Sequence, residues 1–447
     1  MSQPQFGKMG ALAALWTLLT WASSESRGSD LNSTNAAQLI PSSEPGWPQF
    51  RGLRRDGRSD ETGLLQSWPS DGPPKLWSSK ELGQGYSSPI IVNDKIYITG
   101  DFGDELHLFC LDASSGKELW KATNGLSWKN PYPGARSTPT YSAGRIYLQN
   151  AHGQIRAFDA ETGQTAWTVD LLQRFGGNNI TWGLSECLLV DDRTVYATAG
   201  GREALVVALD KKSGDLLWKS EPLLDSAGEK SLENASYVSP ILVRFAGKRL
   251  LIGCSLRNLF CMDADSGVMQ WTRRVPTSYS VLAMMPVLAN DGIFMTAPHG
   301  KPGCFLKLLQ PSSPDGKIGF EQLWETKLDT CQGSVVYHDG KFIGSYYPGR
   351  KGWAAVNAKD GTVLYQAEEI VKGAVLYADQ RFYILSENGI MRLLSADKDK
   401  FTTHGQFRVA QASNDAWAHP VILNKRLYLR YQDELICYDV EKNQPAT

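Results

Sequence analysis

One nine-residue frame recurs along the chain: "DASSGKELW" (Asp112–Trp120), "DAETGQTAW" (Asp159–Trp167), "DKKSGDLLW" (Asp210–Trp218) and "DADSGVMQW" (Asp263–Trp271). Asp112, Asp159, Asp210 and Asp263 open the four copies. Gly116, Gly163, Gly214 and Gly267 stand in the middle, and Trp120, Trp167, Trp218 and Trp271 close them. Copies spaced by roughly 40–50 residues constrain the chain strongly. Each is a small unit that buries its apolar face only by stacking on the next.

The frame spells out the unit. Asp followed by polar residues and Ser/Thr-Gly is turn chemistry: the carboxylate accepts bonds from its own turn, and Gly supplies the positive φ. An alternating strand precedes the Asp, as in "QIRAFD" (154–159) and "LVVALD" (205–210), and a short strand ending in Trp follows the Gly. Upstream, "SPIIVNDKIYITG" (88–100) and "TPTYSAGRIYLQN" (138–150) each read as two strands joined by a tight turn. The unit is a four-stranded antiparallel meander.

Eight such units are expected, with inner strands starting near Pro89, Pro139, Glu186, Pro240, Pro286, Val335, Val375 and Pro420. The fifth ends in Trp324, the sixth substitutes Asn357 and Tyr365 in the frame, and the seventh is eroded. The eighth (419–439) runs out after three strands, while "PPKLW" (73–77) is a Trp-ending strand with no unit before it. Pairing the two closes a ring and removes both exposed edges. The expected fold is an all-β, eight-bladed β-propeller over 76–441, with seven blades as the alternative.

In a propeller the recurring Trp belongs flat between blades, its indole N–H on a backbone carbonyl, and the recurring Asp and Gly are turn parts. Two residues before the Asp or Asn stand Ala157, Ala208 and Ala355 in three units and Cys110, Cys261 and Cys437 in three others. Cysteine there serves as a small hydrophobe. Cys254 and Cys261 flank a hairpin and are a candidate disulfide, but with seven cysteines at least one thiol has no partner within the chain.

Ahead of the repeats, residues 9–22 form an uncharged apolar run behind Lys8, followed by small residues, the order of a secretory signal peptide over 1–24. Residues 25–45 read as a flexible linker, 46–75 as an arm packed on the propeller, and 442–447 as a tail. The expected protein is exported, to the periplasm or beyond, and monomeric. The 46 basic and 47 acidic residues leave a net charge of −1, which supplies no field for nucleic acid. The arginines of "WPQFRGLRRDG" (47–57) are local and half compensated, which suits a docked arm.

No nucleophile elbow, phosphate loop or zinc signature occurs, so no catalytic residue and no metal site is assigned. His152 and His299 precede Gly in turns and read as solvated. A propeller site is assembled from the loops that feed the inner strands. Those loops nominate Glu186, Arg136, Trp182, Tyr237, Tyr279, Lys372, Trp417 and His419 as a channel-mouth ring for a ligand or peptide. Glu186 stands where five other units have Pro. The structural alternative is that Glu186 and Arg136 pair and close the pore.

The frame with its "SP" strands resembles the pyrroloquinoline-quinone-like (PQQ-like) β-propeller repeat family over about 47–439. "WPQFRGLRRDGRSDETGLLQSWPSDGPPKLW" (47–77) and "TWGLSECLLVDD" (181–192) resemble an exported bacterial subgroup likened to the outer-membrane-protein assembly lipoprotein of the Bam complex. That resemblance implies an interaction scaffold with a protein or peptide partner in the cell envelope, although the lipid-anchor cysteine is missing. Quinoprotein dehydrogenases share the repeat, and they imply PQQ with calcium and oxidation of alcohols or sugars. They use a vicinal Cys-Cys disulfide, and no two cysteines are adjacent here. The residues themselves call for no cofactor; PQQ with calcium is the alternative that the resemblance brings. A carbohydrate-active propeller using the Tyr/Trp rim is a third reading.

Overall fold

Trp77 pairs with Cys437, at the other end of the chain, and this pairing closes the ring. In the computed structural model, which describes residues 36–129, 131–224, 232–275, 277–347, 352–409 and 416–442, eight antiparallel sheets follow one another. The protein is an eight-bladed β-propeller. Blade 1 comprises Ile90–Val92, Lys95–Phe102, Glu105–Asp112 and Glu118–Leu126, from the channel outward. Blade 8 comprises Val421–Leu423, Arg426–Tyr431, Glu434–Asp439 and, as its outer strand, Lys75–Ser79. Among the described residues the only helix is the short segment Leu171–Phe175.

The frame explains the seams between blades. Asp112 Oδ1 accepts from the amides of Ser114 (3.1 Å) and Ser115 (2.8 Å), and its carbonyl accepts from Gly116 (2.8 Å). These donors hold the exposed Asp112 carboxyl below the usual carboxylate range, led by the Ser114 hydroxyl. Gly116 has φ +71°, and its missing Cβ leaves room for the Trp77 ring of the preceding blade. The same contact joins Gly163 to Trp120, Gly214 to Trp167, Gly267 to Trp218 and Gly361 to Trp324. These five Trp each pack on the glycine of the next blade, whereas Trp271 meets Phe320 of blade 5 at 4.8 Å. Two indoles use the expected carbonyls, Trp167 on Lys211 (3.1 Å) and Trp218 on Ala264 (3.1 Å). Trp120 differs: its indole N–H is buried without a partner, and Tyr97 bonds the equivalent carbonyl of Ala160 (3.1 Å). Across each outer pair Trp120, Trp167, Trp218 and Trp271 stand opposite Cys110, Ala157, Ala208 and Cys261, all fully buried, so only a small residue fits there.

The eroded blade 7 is a complete four-stranded sheet, Gly373–Ala378, Arg381–Ser386, Ile390–Ala396 and Phe401–Arg408. Gly405 occupies the Trp position opposite Leu393, and Trp68 of the arm fills the gap against Tyr383 and Phe407. The Cys254–Cys261 bridge is not formed. The hairpin register sets Cys254 against Leu259 and Cys261 against Ile252, two positions apart, and all seven cysteines are free and buried.

Of the linker expected over 25–45, residues 36–45 are described. Gln38–Leu39 adds a fifth strand to the channel edge of blade 4, pairing with Arg244 and Val243, because an inner strand leaves one edge unpaired. The signal peptide expected over 1–24 lies outside the described residues, as does the tail beyond Lys442. No described helix is long and apolar enough to cross a membrane.

Candidate functional site

The arm closes one end of the channel. Trp47 bridges Ile91 of blade 1, Tyr141 N of blade 2 donates to Pro48 O (2.8 Å), and Ser59 Oγ donates to Ile422 O of blade 8 (3.2 Å). Two arginines run inward and are fully buried. Arg51 donates to Val335 O of blade 6 (2.8 Å) and to Asp56 O (2.8 Å), while Arg55 donates across the channel to Cys187 O (2.7 Å) and Leu188 O (3.2 Å) of blade 3. Burial pulls both guanidinium pKa values down to about 10, so both stay charged at neutral pH. The bonds go to backbone carbonyls of opposite walls, so the arm acts as a staple across the channel.

Above the staple the channel mouth is a blind cup of about 680 Å³. Phe50, the residue before Arg51, lies in its wall, edge-on to the His419 ring at 4.9 Å. His419 ties three elements together: Nδ1 faces Arg51 Nη1 at 3.4 Å and Nε2 faces Gln332 O at 3.2 Å, the tautomer with the proton on Nε2. Burial, then the adjacent Arg51, pushes its pKa down to about 3, and the ring is neutral.

A belt of bonds fixes the level of the cup wall. His419 N donates to Ser88 Oγ (2.8 Å), Ser88 N to Thr138 Oγ1 (2.9 Å), Thr138 N to Cys187 Sγ (3.2 Å), and Cys187 N to Ser239 Oγ (2.9 Å). Blades 8, 1, 2 and 3 thus each hand an inner amide to a side chain of the next blade. Cys187 occupies a hydroxyl position in this belt.

Seven of the eight nominated residues line the cup: Arg136, Trp182, Tyr237, Tyr279, Lys372, Trp417 and His419. Glu186 does not. The strand register pairs Leu189 with Tyr196, as Ile90 pairs with Tyr97 and Thr140 with Tyr147, so Leu188 holds the proline position and Glu186 that of Ser87. Its side chain turns into the blade, 2% exposed, where Oε2 accepts from Thr198 N (2.9 Å) and Oε1 is buried without a hydrogen-bond partner. Desolvation lifts its pKa to about 7 against the pull of the Thr198 bonds and Arg55. The Glu186–Arg136 pair offered as the structural alternative is not formed either. Arg136 clasps the loop above it, donating to Trp182 O, Tyr132 O and Gly134 O (3.2 Å), with its guanidinium 5.5 Å from the centre of the Trp128 ring.

Other residues complete the wall. Trp417 stacks on Tyr86 (4.4 Å) and packs against Tyr132 (5.4 Å); Trp182 packs on Tyr237 (5.7 Å). His299, expected to be solvated, is half-buried between Tyr279 (4.8 Å) and Tyr347 (5.3 Å), because its backbone N–H donates to Tyr347 O (2.8 Å) and ties its loop to blade 6. Behind the wall Glu387 accepts from Trp417 Nε1 (3.1 Å) and Gln332 Nε2 (3.2 Å) and pairs with Lys372. Tyr86 was legible by analogy, since "GQGYSSP" matches "NASYVSP" around Tyr237. Phe50 and Glu387 carried no local signal.

The chemistry of this lining is aromatic, with hydroxyls and two cations. A model of the family described as outer membrane protein assembly factor BamB matches residues 68–306, just over half of the chain. The chain belongs to this family of PQQ-like β-propellers. It is 24% identical over 260 residues to the outer membrane protein assembly factor BamB of Burkholderia pseudomallei, covering 49% of this chain and 64% of that protein. It is 27% identical over 152 residues to the quinohemoprotein alcohol dehydrogenase ADH-IIG of Pseudomonas putida, covering 32% of this chain and 20% of that protein. The chain thus spans less than two thirds of the length of either relative. Among solved structures, BamB from Moraxella catarrhalis superposes with a TM-score of 0.58 at 13% identity, covering 82% of this chain and 99% of that one. The quinohemoprotein alcohol dehydrogenase from Comamonas testosteroni superposes at 0.63 and 12% identity, covering 90% and 82%. These structures share the fold. The calcium-held quinone implied by the dehydrogenase resemblance needs a carboxylate-bearing set, and the residues lining the cup include no carboxylate. Nor do the described residues hold a group of three His, Cys, Asp or Glu arranged for a metal ion. The donors of the cup do not fit that group.

Proposed function

We propose that this protein is an exported, non-catalytic propeller scaffold of the cell envelope that receives a segment of a protein partner in its channel-mouth cup. The observation that carries the reading is the cup itself: a blind recess closed by the arm, walled by aromatic side chains from several blades and held, from blade 8 round to blade 4, by a belt of bonds. Rigid aromatic rings give a large contact area at low entropic cost, which suits a protein segment better than bond-making chemistry. The BamB relatives support a scaffold of this kind. The dehydrogenase relatives support the alternative of an oxidoreductase, which the carboxylate-free lining disfavours.

The test is a photo-crosslinker at position 279, on the exposed rim, with one at position 119 on the outer face as control. A defined envelope protein captured from 279 and not from 119, and lost in Trp417→Ala, is the expected result. Capture from 119 alone, or a saturable rise in Tm that needs both PQQ and calcium, overturns the reading.

A further inference from the structure

We propose that the cup selects an acidic segment presenting an aromatic side chain; this rests on the reading of the cup as a protein-binding site. The aromatic half comes from geometry. Tyr86, Trp417 and Tyr132 pack in a consecutive row of tilted rings, 35° and 58° between planes, and Tyr132, 51% exposed, is held at φ +55° with its carbonyl clasped by Arg136. A non-glycine residue in that region carries a backbone cost. That cost places one ring at the end of the row, on a rim facing water, where a fourth ring has a place to pack.

The acidic half comes from charge. Arg136 and Lys372 are the charged side chains on the lining, and the histidines there are held neutral by burial. The nearby acids stand behind the wall and not on the lining. Asp101 Oδ2 accepts from Trp128 N (3.1 Å) and Oδ1 is buried without a hydrogen-bond partner; burial lifts its pKa to about 6 against the pull of the Trp128 bond and of Arg136, Arg430 and Lys129. Glu387 is taken by Lys372, Trp417 and Gln332. Asp329 accepts from Gly300 N (2.7 Å) and Tyr347 N (2.7 Å). Arg136 spends its three bonds on neutral carbonyls, which leaves two of the five N–H groups of a guanidinium for a guest. Both cations also lie against ring faces, Arg136 on Trp128 and Lys372 on Tyr347 at 4.5 Å. A cationic guest would find those faces occupied by like charge, whereas a carboxylate would find charge-assisted donors in a poorly hydrated recess.

Three capped, fluorescein-labelled pentapeptides read both halves by anisotropy on the full chain: alternating Asp and Phe, alternating Lys and Phe, and alternating Asp and Ala. The Asp/Phe peptide is expected to bind at least tenfold tighter than either other and to weaken severalfold between 50 and 300 mM salt. It should also weaken at least fivefold in Tyr132→Ala, which removes the half-exposed ring at the rim. Equal binding of the Lys/Phe peptide overturns the charge assignment and leaves the cup as a peptide site. Equal binding of the Asp/Ala peptide overturns the aromatic assignment. Binding unchanged in both Tyr132→Ala and Trp417→Ala, or no binding of any peptide at millimolar concentration, overturns the proposal and the reading beneath it.

Discussion

Gly163→Ala tests the account of the repeat. Gly163 sits at φ +72°, and a Cβ there would lie 2.7 Å from the Trp120 ring of the preceding blade. Two costs follow. Holding alanine in the left-handed region costs about 1–2 kcal/mol, partly offset by the lower entropy of its unfolded chain. Overpacking against an indole already wedged between two sheets costs about 1–3 kcal/mol more. Gly144 separates the terms, because it has φ +77° in a hairpin turn with nothing within 4 Å of its Cβ position. Gly144→Ala should therefore cost about 1 kcal/mol and Gly163→Ala about 2–4 kcal/mol, read from urea midpoints at constant m. In a Trp120→Ala background the cost of Gly163→Ala should fall back to that of Gly144→Ala, a coupling of about 1–3 kcal/mol. Equal costs at the two glycines, or no coupling to Trp120, would show that the frame glycine serves its turn alone and that the Trp–Gly seam is incidental.

Glu186 should give the protein a pH slope. Its folded pKa of about 7 lies above the unfolded value, so its contribution is full below about pH 4.5 and is lost as pH rises towards 7. Glu186→Gln should flatten that fall, by on the order of 3 kcal/mol at most, in urea midpoints taken from pH 5 to 8. Ellman's reagent should find almost none of the seven thiols in the native protein and all of them in guanidinium without reductant, since every cysteine is free and buried. Deleting residues 1–80 removes the outer strand of blade 8 and the staple together, and the product should be aggregated or partly unfolded by circular dichroism and light scattering. Arg55→Met should leave the buried Glu186 without its nearest cation, raise the carboxyl pKa further and lower stability by about 3–5 kcal/mol above pH 7.

The sequence by itself determined the architecture. Turn chemistry and strand alternation are local, and a frame kept in register through four copies leaves little but a closed ring of meanders. Even the ring closure was legible, because a three-stranded last unit and an orphan Trp-ending strand need each other. The loops that form the mouth followed from topology, which is why seven nominated side chains meet in one cup. Tertiary structure decided the rest. The proline pattern suggested a register that placed Glu186 on the channel; backbone pairing shifted it by two residues and turned the carboxylate into the blade. The staple of Arg51 and Arg55, the presence of Phe50 in the cup, and Glu387 behind Trp417 join residues from opposite ends of the chain. No spacing in the sequence records such contacts, because they exist only once eight independently legible units have closed around a common axis.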